Sequence, residues 1–597
     1  MNLADIQRIG DETNVAVLWD NRSGTWRVFR KPVHVVSASK DSEVGSCLAR
    51  IEGRVGRHGL HAAGFLSYEA SAAFDPAFRV RPDGDGFPLL WFGLYARVET
   101  VSSWPCRSMP SLPDWKPSIT EQQYHGSLGA IREHLRVGNT YQVNFTFRLL
   151  TNFPHHPWDF FLSVCQARPA AYAAYVCLED WAICCFSPEQ FFVLDGEKIV
   201  SSPMKGTRGR GLTSRQDQDL AEELRSSAKD RAENVMITDM VRNDLGRIAV
   251  PGSVVVKDLF AVEKHATVWQ MVSRVHAQTH EPLSRIFSAL FPPASITGAP
   301  KAASMEIITE LEDSPRRIYT GCIGHISHSP EAGLQAAFNV AIRTVLVDRR
   351  RKQAEYGVGG GIVWDSDEEG EYAECRIKAE VLHQRMPEFE LLETMLWMPD
   401  QGYVLLERHL SRLEASAEYF EFSLDLSAVR EALHGLAEKF VREPRMVRLL
   451  VDRSGRLKLE DLPPPPMPGK TPRLTLAKIP VNSKDLFLYH KTTHRAVYEQ
   501  ALGASPEVDD VLLFNEHGQV TESTRANVLA KLEGVLYTPP ISCGLLAGTL
   551  RGHLLDQGQI VERILMPADL GRAEQLYLIN SVRGMYRIDL MQAVLTS

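Results

Sequence analysis

The sequence predicts a chain of α/β and α+β domains, and three observations carry that reading. Its 597 residues exceed what one hydrophobic core supports, so at least two folding units are expected. Apolar residues make up 44% and charged residues 23%, the balance of a soluble globular protein. Strand-like apolar runs are interleaved with helix-like amphipathic ones, and the pattern restarts near residue 384.

In the first part, "AAYAAYVCL" (170–178), "QFFVLDGEKIV" (190–200) and "FNVAIRTVLVD" (338–348) read as strands. The stretch "DQDLAEELRSSAKDRAENVMITDMVRNDLG" (217–246) reads as helix. Together they predict a mixed α/β sandwich over residues 1–384. The basic run "VDRRRKQ" (347–353) fits a solvated turn between two strands. From 388 short strands and a helix, "ERHLSRLEASAEYF", make a small lobe to about 462. Four consecutive prolines in "EDLPPPPMPGKTP" then forbid helix and ladder alike, and a larger lobe follows over about 472–597.

The net charge of −8 gives no electrostatic reason to expect nucleic acid. No apolar run approaches the roughly 18 residues that span a bilayer, so no membrane role is expected. The start "MNLADIQRIGDETN" lacks a signal peptide's order, and a cytoplasmic protein is expected. The nine cysteines form no C-x-x-C pair, which predicts buried thiols rather than disulfides or zinc.

Two acidic pairs stand out: Asp230 with Glu233, and Glu371 with Glu374. Their i, i+3 spacing puts both carboxylates on one helix face, and two such faces would suit Mg²⁺. Either pair alone reads as a solvated helix face. In "YGVGGGIVWDSD", Gly359, Gly360 and Gly361 come just before an expected strand, where consecutive backbone N–H groups form an anion nest. Thr297 and Gly298 come near the start of an expected helix, again an anion-favouring place, although a plain turn explains them too. Lys205, in "SSPMKGTRGRG", is the residue whose role the neighbours must decide.

These segments resemble one family in order and spacing, the chorismate-utilising enzymes. The resemblance rests on "GNTYQVNFTF", "SPEQFF", "SSPMKGTRGRG", "KDRAENVMITDMVRNDLGR", "SITGAPKAASMEII", "AIRT" and "GVGGGIVWDSDEEGEYAE". It implies Mg²⁺ held chiefly by Glu233 and Glu374, with Asp230 and Glu371 behind them, against one carboxylate of chorismate. Arg343, Tyr356 and the glycine run would hold the other carboxylate. Anthranilate synthases look like P-I-A-G-T-R at the Lys205 position, whereas 4-amino-4-deoxychorismate synthases of the common type carry lysine. The resemblance therefore implies that Lys205 attacks C2 of chorismate while the C4 hydroxyl leaves, with Glu189 as general acid. Met204 and Gly209 depart from the commoner isoleucine and proline of that loop. Gln142 stands where the water-activating isochorismate synthases have lysine, which disfavours water as nucleophile. Ammonia is expected from a separate glutamine amidotransferase subunit.

In the last part, Lys491 follows an apolar, strand-like run in "LYHKTTHRAVYEQA", and "NEHG" is a hairpin turn that puts Glu522 at a strand end. An acid beside a pyridine nitrogen suits pyridoxal phosphate. Gly548 and Thr549 in "LLAGTLR", with Arg412, offer phosphate ligands. Together these residues resemble the fold-type IV pyridoxal phosphate enzymes, from about Leu391 to Arg583. Carried over, Lys491 joins the cofactor, Glu522 pairs with its ring nitrogen, and Arg412 with Thr549 binds its phosphate. Thr394 resembles a threonine that relays a proton in the aminodeoxychorismate lyases, and Arg495 and Arg583 are candidates for substrate carboxylates. A homodimer through this domain is expected from the same group.

The two resemblances imply a bifunctional enzyme of folate precursor synthesis. It would convert chorismate and ammonia to 4-amino-4-deoxychorismate, then eliminate pyruvate to leave 4-aminobenzoate. The alternatives are an anthranilate synthase component I fused to a branched-chain or D-amino-acid aminotransferase-like domain, and a degenerate fusion that only binds an amidotransferase.

Overall fold

A computed structural model describes residues 9–104, 113–165, 170–265, 268–382 and 387–591. It divides into two units, residues 1–209 with 220–386, and residues 210–219 with 387–597. The expected boundary near 384–388 falls partly on 383–386, which lie outside the described residues.

The first unit stacks two ten-stranded sheets between helices. Its period-2 strands show why. Along Val15–Asp20, Val15 and Val17 join one apolar cluster while Ala16 and Leu18 join another, so both faces of the strand are buried. Ala16, Leu18, Ala63, Phe65, Trp91 and Ile183 meet between the sheets. Outside one sheet lie Tyr124, Leu128 and Ile131 of helix Glu121–Arg136. Outside the other lie Val44, Leu48 and Ile51 of helix Asp41–His58. The same alternation sends Cys184 and Cys185 of strand Trp181–Ser187 to opposite faces. All eight described cysteines are free and buried.

The helix expected over 217–246 is two helices, Ser214–Ser226 and Ala228–Gly246. Ser227 ends the first and caps the second, its side chain accepting from the Asp230 N–H. The expected turn at 349–352 joins strands Thr344–Asp348 and Gln353–Ile362.

The second unit holds a four-stranded sheet, ordered Gly402–Tyr403, Leu391–Met398, Arg445–Val451, Leu457–Leu462, with helices Leu406–Phe420 and Leu426–Ala437. It also holds an eight-stranded sheet in which an additional pairing of Val520–Ser523 with Asn527–Leu532 closes six strands into a ring. Residues 463–472, with the four prolines, form neither helix nor strand. No helix among the described residues is long and apolar enough to cross a membrane.

Candidate active sites

Lys205 lies on strand Met204–Gly209 at the edge of its sheet, packed against helix Ala228–Gly246. Asn234 of that helix donates to the Lys205 carbonyl at 3.2 Å. Burial lowers the pKa of the Lys205 amine, and the Glu233 charge partly offsets that. Burial pushes Glu189 up to about 7, against a 2.7 Å hydrogen bond from Ser295 Oγ. An amine made easier to deprotonate thus shares a site with a carboxyl made easier to keep protonated, the division of labour that nucleophile and acid need.

The glycine run departs from its expected place. Gly359, Gly360 and Gly361 lie inside strand Gln353–Ile362, laddered to Thr146, Phe145 and Asn144, rather than ahead of a strand as a nest. Their lack of side chains serves close approach. A Cβ on Gly361 would sit 2.7 Å from Lys205 Nζ and 2.2 Å from Gln142 Nε2, and one on Gly360 would sit 2.8 Å from Glu371 Oε2. Pairing of this strand with Thr344–Asp348 stops at Tyr356, so the glycines' second edge has no strand partner among the described residues.

Arg343 stands beside that edge in the left-handed region at φ 50°. Burial lowers its pKa and Tyr356 raises it, and among the described residues its guanidinium makes no ion pair or side-chain hydrogen bond. Tyr356 is less ready than expected, since its hydroxyl already donates to the Lys378 carbonyl at 2.8 Å. Thr297 is likewise committed, donating to the carbonyls of Pro293 and Ala294. Gly298 and Thr297 precede helix Lys301–Leu311 by several residues. Gly298, at φ 148°, makes room for the Gln142 carbonyl, 2.1 Å from where a Cβ would be. Gln142 is buried, and its Oε1 has no hydrogen-bond partner among the described residues.

The four carboxylates are on helices as expected but are not gathered into a ligand set. Among the described residues no three His, Cys, Asp or Glu side chains form a metal-binding group. Asp230 pairs with Arg208 at 2.9 Å, and Glu371 accepts from Ser366 at 2.6 Å. Glu374 pairs with Lys378 at 2.8 Å, and Lys378 also donates to the Gly359 carbonyl. Glu233 makes no side-chain hydrogen bond among the described residues, and burial, with the Asp230 and Glu374 charges, raises its pKa against the pull of Lys205 and Lys229. Carboxylate oxygens are the donors a hard divalent cation takes, and Glu233, with no side-chain hydrogen bond among the described residues, and Glu374, paired with Lys378, are the two that could hold one. Lys378 is a functional candidate that the sequence reading missed. Its signal was there, since i, i+4 from Glu374 predicts the pair.

In the second unit Lys491 is preceded by the 3₁₀ turn Leu486–Leu488, not by the expected strand, because the Asp485 side chain caps that turn at the Phe487 N–H. Burial, with Arg412 nearby, pushes the Lys491 amine down to about 8. Glu522, buried on strand Val520–Ser523, accepts from Tyr498 Oη at 2.8 Å, Asn527 Nδ2 at 3.1 Å and the Leu546 N–H at 3.1 Å. Burial lifts it to about 7. Gly548 and Thr549 form the N-terminus of helix Thr549–Asp556, and a Cβ on Gly548 would fall 1.9 Å from Asn527 Oδ1.

Arg412 is not free. Nε and an Nη grip Glu393 at 2.8 Å, and His409 adds a 2.6 Å contact to the same carboxylate. Burial would raise Glu393, but Arg412 and His409 overcome it and hold the group at about 2. His409 Nε2 in turn meets Thr549 Oγ1 at 3.3 Å. Glu393 and His409, overlooked in the sequence, therefore orient both expected phosphate ligands. Thr394, next after Glu393 on strand Leu391–Met398, projects from the opposite face and is not brought to this network. Arg495 is stacked over Tyr498 at 4.6 Å, and Arg583 keeps a buried Nε without a partner among the described residues. These donors fit an anionic pyridine cofactor: an acid for a ring nitrogen, a helix N-terminus with an arginine for phosphate, and a desolvated amine.

Residues 14–384, more than half of the chain, match the family described as chorismate binding enzyme. The chain belongs to that family. The chorismate binding enzyme part is followed by a match to amino-transferase class IV over residues 390–590. Aminodeoxychorismate synthase component 1 of Escherichia coli is 42% identical over 281 residues, 47% of this chain and 61% of that protein. The protein of the same name from Bacillus subtilis is 37% identical over 280 residues, 47% of this chain and 58% of its own length. The chain thus spans less than two thirds of these relatives' length. The anthranilate synthase component I structure from Streptococcus pneumoniae superposes with a TM-score of 0.53 at 24% identity, over 60% of this chain and 92% of that one. That likeness shows the chorismate binding fold of the first unit.

Proposed function

We propose that the first unit aminates chorismate at C4 and that the second releases pyruvate from the product to leave 4-aminobenzoate. The observation that carries the first half is Lys205, a desolvated amine beside the Gly361 gap, with Glu189 held near neutral. The Lys205 amine attacks C2 of chorismate, the ring double bond shifts, and the C4 hydroxyl leaves as water with the proton of Glu189. Ammonia then attacks C4, the double bond shifts back, and the C2–lysine bond breaks. Arg343 holds one substrate carboxylate. Glu233 and Glu374 would hold Mg²⁺, which when bound neutralises the other. Lysine rather than alanine at position 205 favours this over amination at C2.

In the second unit, Lys491, Glu522, Arg412, Gly548 and Thr549 would hold pyridoxal phosphate, which when bound supplies an electron sink. Lys491 removes the proton from substrate C4, and aromatisation of the ring drives loss of the enolpyruvyl group as pyruvate. Glu522 keeps a proton at the ring nitrogen. The "component 1" in the relatives' names supports a separate partner subunit, which we assign as the glutamine amidotransferase that supplies ammonia. The test is to supply 4-amino-4-deoxychorismate and, separately, chorismate with ammonium to Lys205→Ala and Lys491→Ala chains. Each variant should lose one half-reaction only. Loss of both in either variant, or of neither, contradicts the assignment.

A further inference from the structure

Ten residues of the first sequence domain, Arg210–Asp219, belong to the second unit. They begin five positions after Lys205 in the sequence, and Leu212 among them packs with the cluster that holds Leu488 and Tyr489, just before Lys491. Arg210 and Asp217 form a bidentate pair at 2.7 Å, with side chains only 8% and 3% exposed. The Gly211 N–H donates to the same carboxylate at 2.9 Å. Gly211 admits no side chain, since a Cβ would lie 2.3 Å from the Asp217 backbone nitrogen. Ser214–Asp219 begins helix Ser214–Ser226, so the Arg210–Asp217 pair ties the chain entering that helix to its first turn.

The Arg210 guanidinium covers the Tyr419 ring at 4.4 Å, and Tyr419 Oη donates to the Gly211 carbonyl at 2.7 Å. Ser214 Oγ donates to the Ala415 carbonyl at 2.8 Å. Leu212 packs with the cluster of Leu488, Tyr489 and Tyr498. Tyr419 then passes the contact on, its ring 4.5 Å from that of His490, whose Nδ1 meets Ser416 Oγ at 3.0 Å. His490 directly precedes Lys491. Arg412, Ser416 and Tyr419 are spaced i, i+4, i+7 on helix Leu406–Phe420, so one helix face carries the expected phosphate arginine and meets this segment.

We infer that Arg210–Asp219, a short connection and the start of helix Ser214–Ser226, is a positioning segment for the second site, seating helix Leu406–Phe420 against His490 so that Arg412 and Lys491 keep their relative places. The assignment of Lys491 and Arg412 rests on the proposed function above; the packing does not.

The test uses the full-length chain without cofactor, comparing wild type, Arg210→Ala and Tyr419→Phe by hydrogen exchange. Peptides spanning 415–420 and 488–494 should exchange faster in Arg210→Ala, by about tenfold or more, and in the same direction but less in Tyr419→Phe. Strand Arg445–Val451 should be unchanged. The same variants, loaded with pyridoxal phosphate, should lower kcat for pyruvate release from supplied 4-amino-4-deoxychorismate more than they change KM. Unaltered exchange in both peptides overturns the inference, and Tyr419→Phe keeps the test available should Arg210→Ala not fold. A wild type that neither binds pyridoxal phosphate nor releases pyruvate contradicts the proposed function while leaving the exchange result intact.

Discussion

Glu189→Gln should produce a chain that is more stable at alkaline pH and nearly inactive. Burial lifts Glu189 from an ordinary value near 4.5 to about 7. A raised carboxyl pKa means the folded state binds more protons than the unfolded one between these values. Stability from this group is therefore full below about pH 4.5 and is lost as pH rises through 7. The difference of roughly 2.5 units corresponds to about 3 kcal/mol. Glutamine keeps the hydrogen bond from Ser295 and carries no charge to desolvate, so its folding should not follow that pH dependence. Removing the acid should slow chorismate amination by about 10²- to 10⁴-fold. Denaturant unfolding of wild type and variant at pH 5 and pH 8, followed by chorismate consumption, checks both halves. A variant with the wild type's pH dependence of stability, or with its full activity, refutes the reasoning.

Three further outcomes are expected. Gly361→Ala places a methyl 2.7 Å from Lys205 Nζ and should cut amination about 100-fold while circular dichroism stays native; an unchanged kcat contradicts the close-approach role. Chelation of Mg²⁺ should abolish chorismate consumption, restored by added Mg²⁺, yet spare pyruvate release from supplied 4-amino-4-deoxychorismate; equal loss of both contradicts the metal assignment. Glu522→Gln should retain bound pyridoxal phosphate by its visible absorbance but lose pyruvate release by about 100-fold, and wild-type turnover would remove Glu522 from the ring nitrogen.

Period and punctuation made much of this legible in the sequence. The apolar runs became strands, 170–178 giving Tyr172–Cys177 while 190–200 and 338–348 each divided into two, and the i, i+3 acid pairs fell on helices. What the sequence hid depended on contacts distant in the chain. The glycine run was read as a nest because consecutive glycines suit one; that Lys205 and Glu371 fill the space above Gly361 and Gly360 is a tertiary fact. Glu393 looked like any strand acid until Arg412 and His409 converged on it. Nothing in the sequence set Arg210–Asp219 apart from the first domain, and only packing assigns it to the other unit.

The central claim is that Lys205 directs ammonia to C4 and that Lys491 finishes the product. It is tested most directly by incubating the chain with chorismate, Mg²⁺, ammonium and pyridoxal phosphate and identifying the aromatic product by mass and fluorescence. 4-Aminobenzoate with an equivalent of pyruvate, lost in Lys205→Ala, is the predicted result. Anthranilate from the wild-type chain would contradict it.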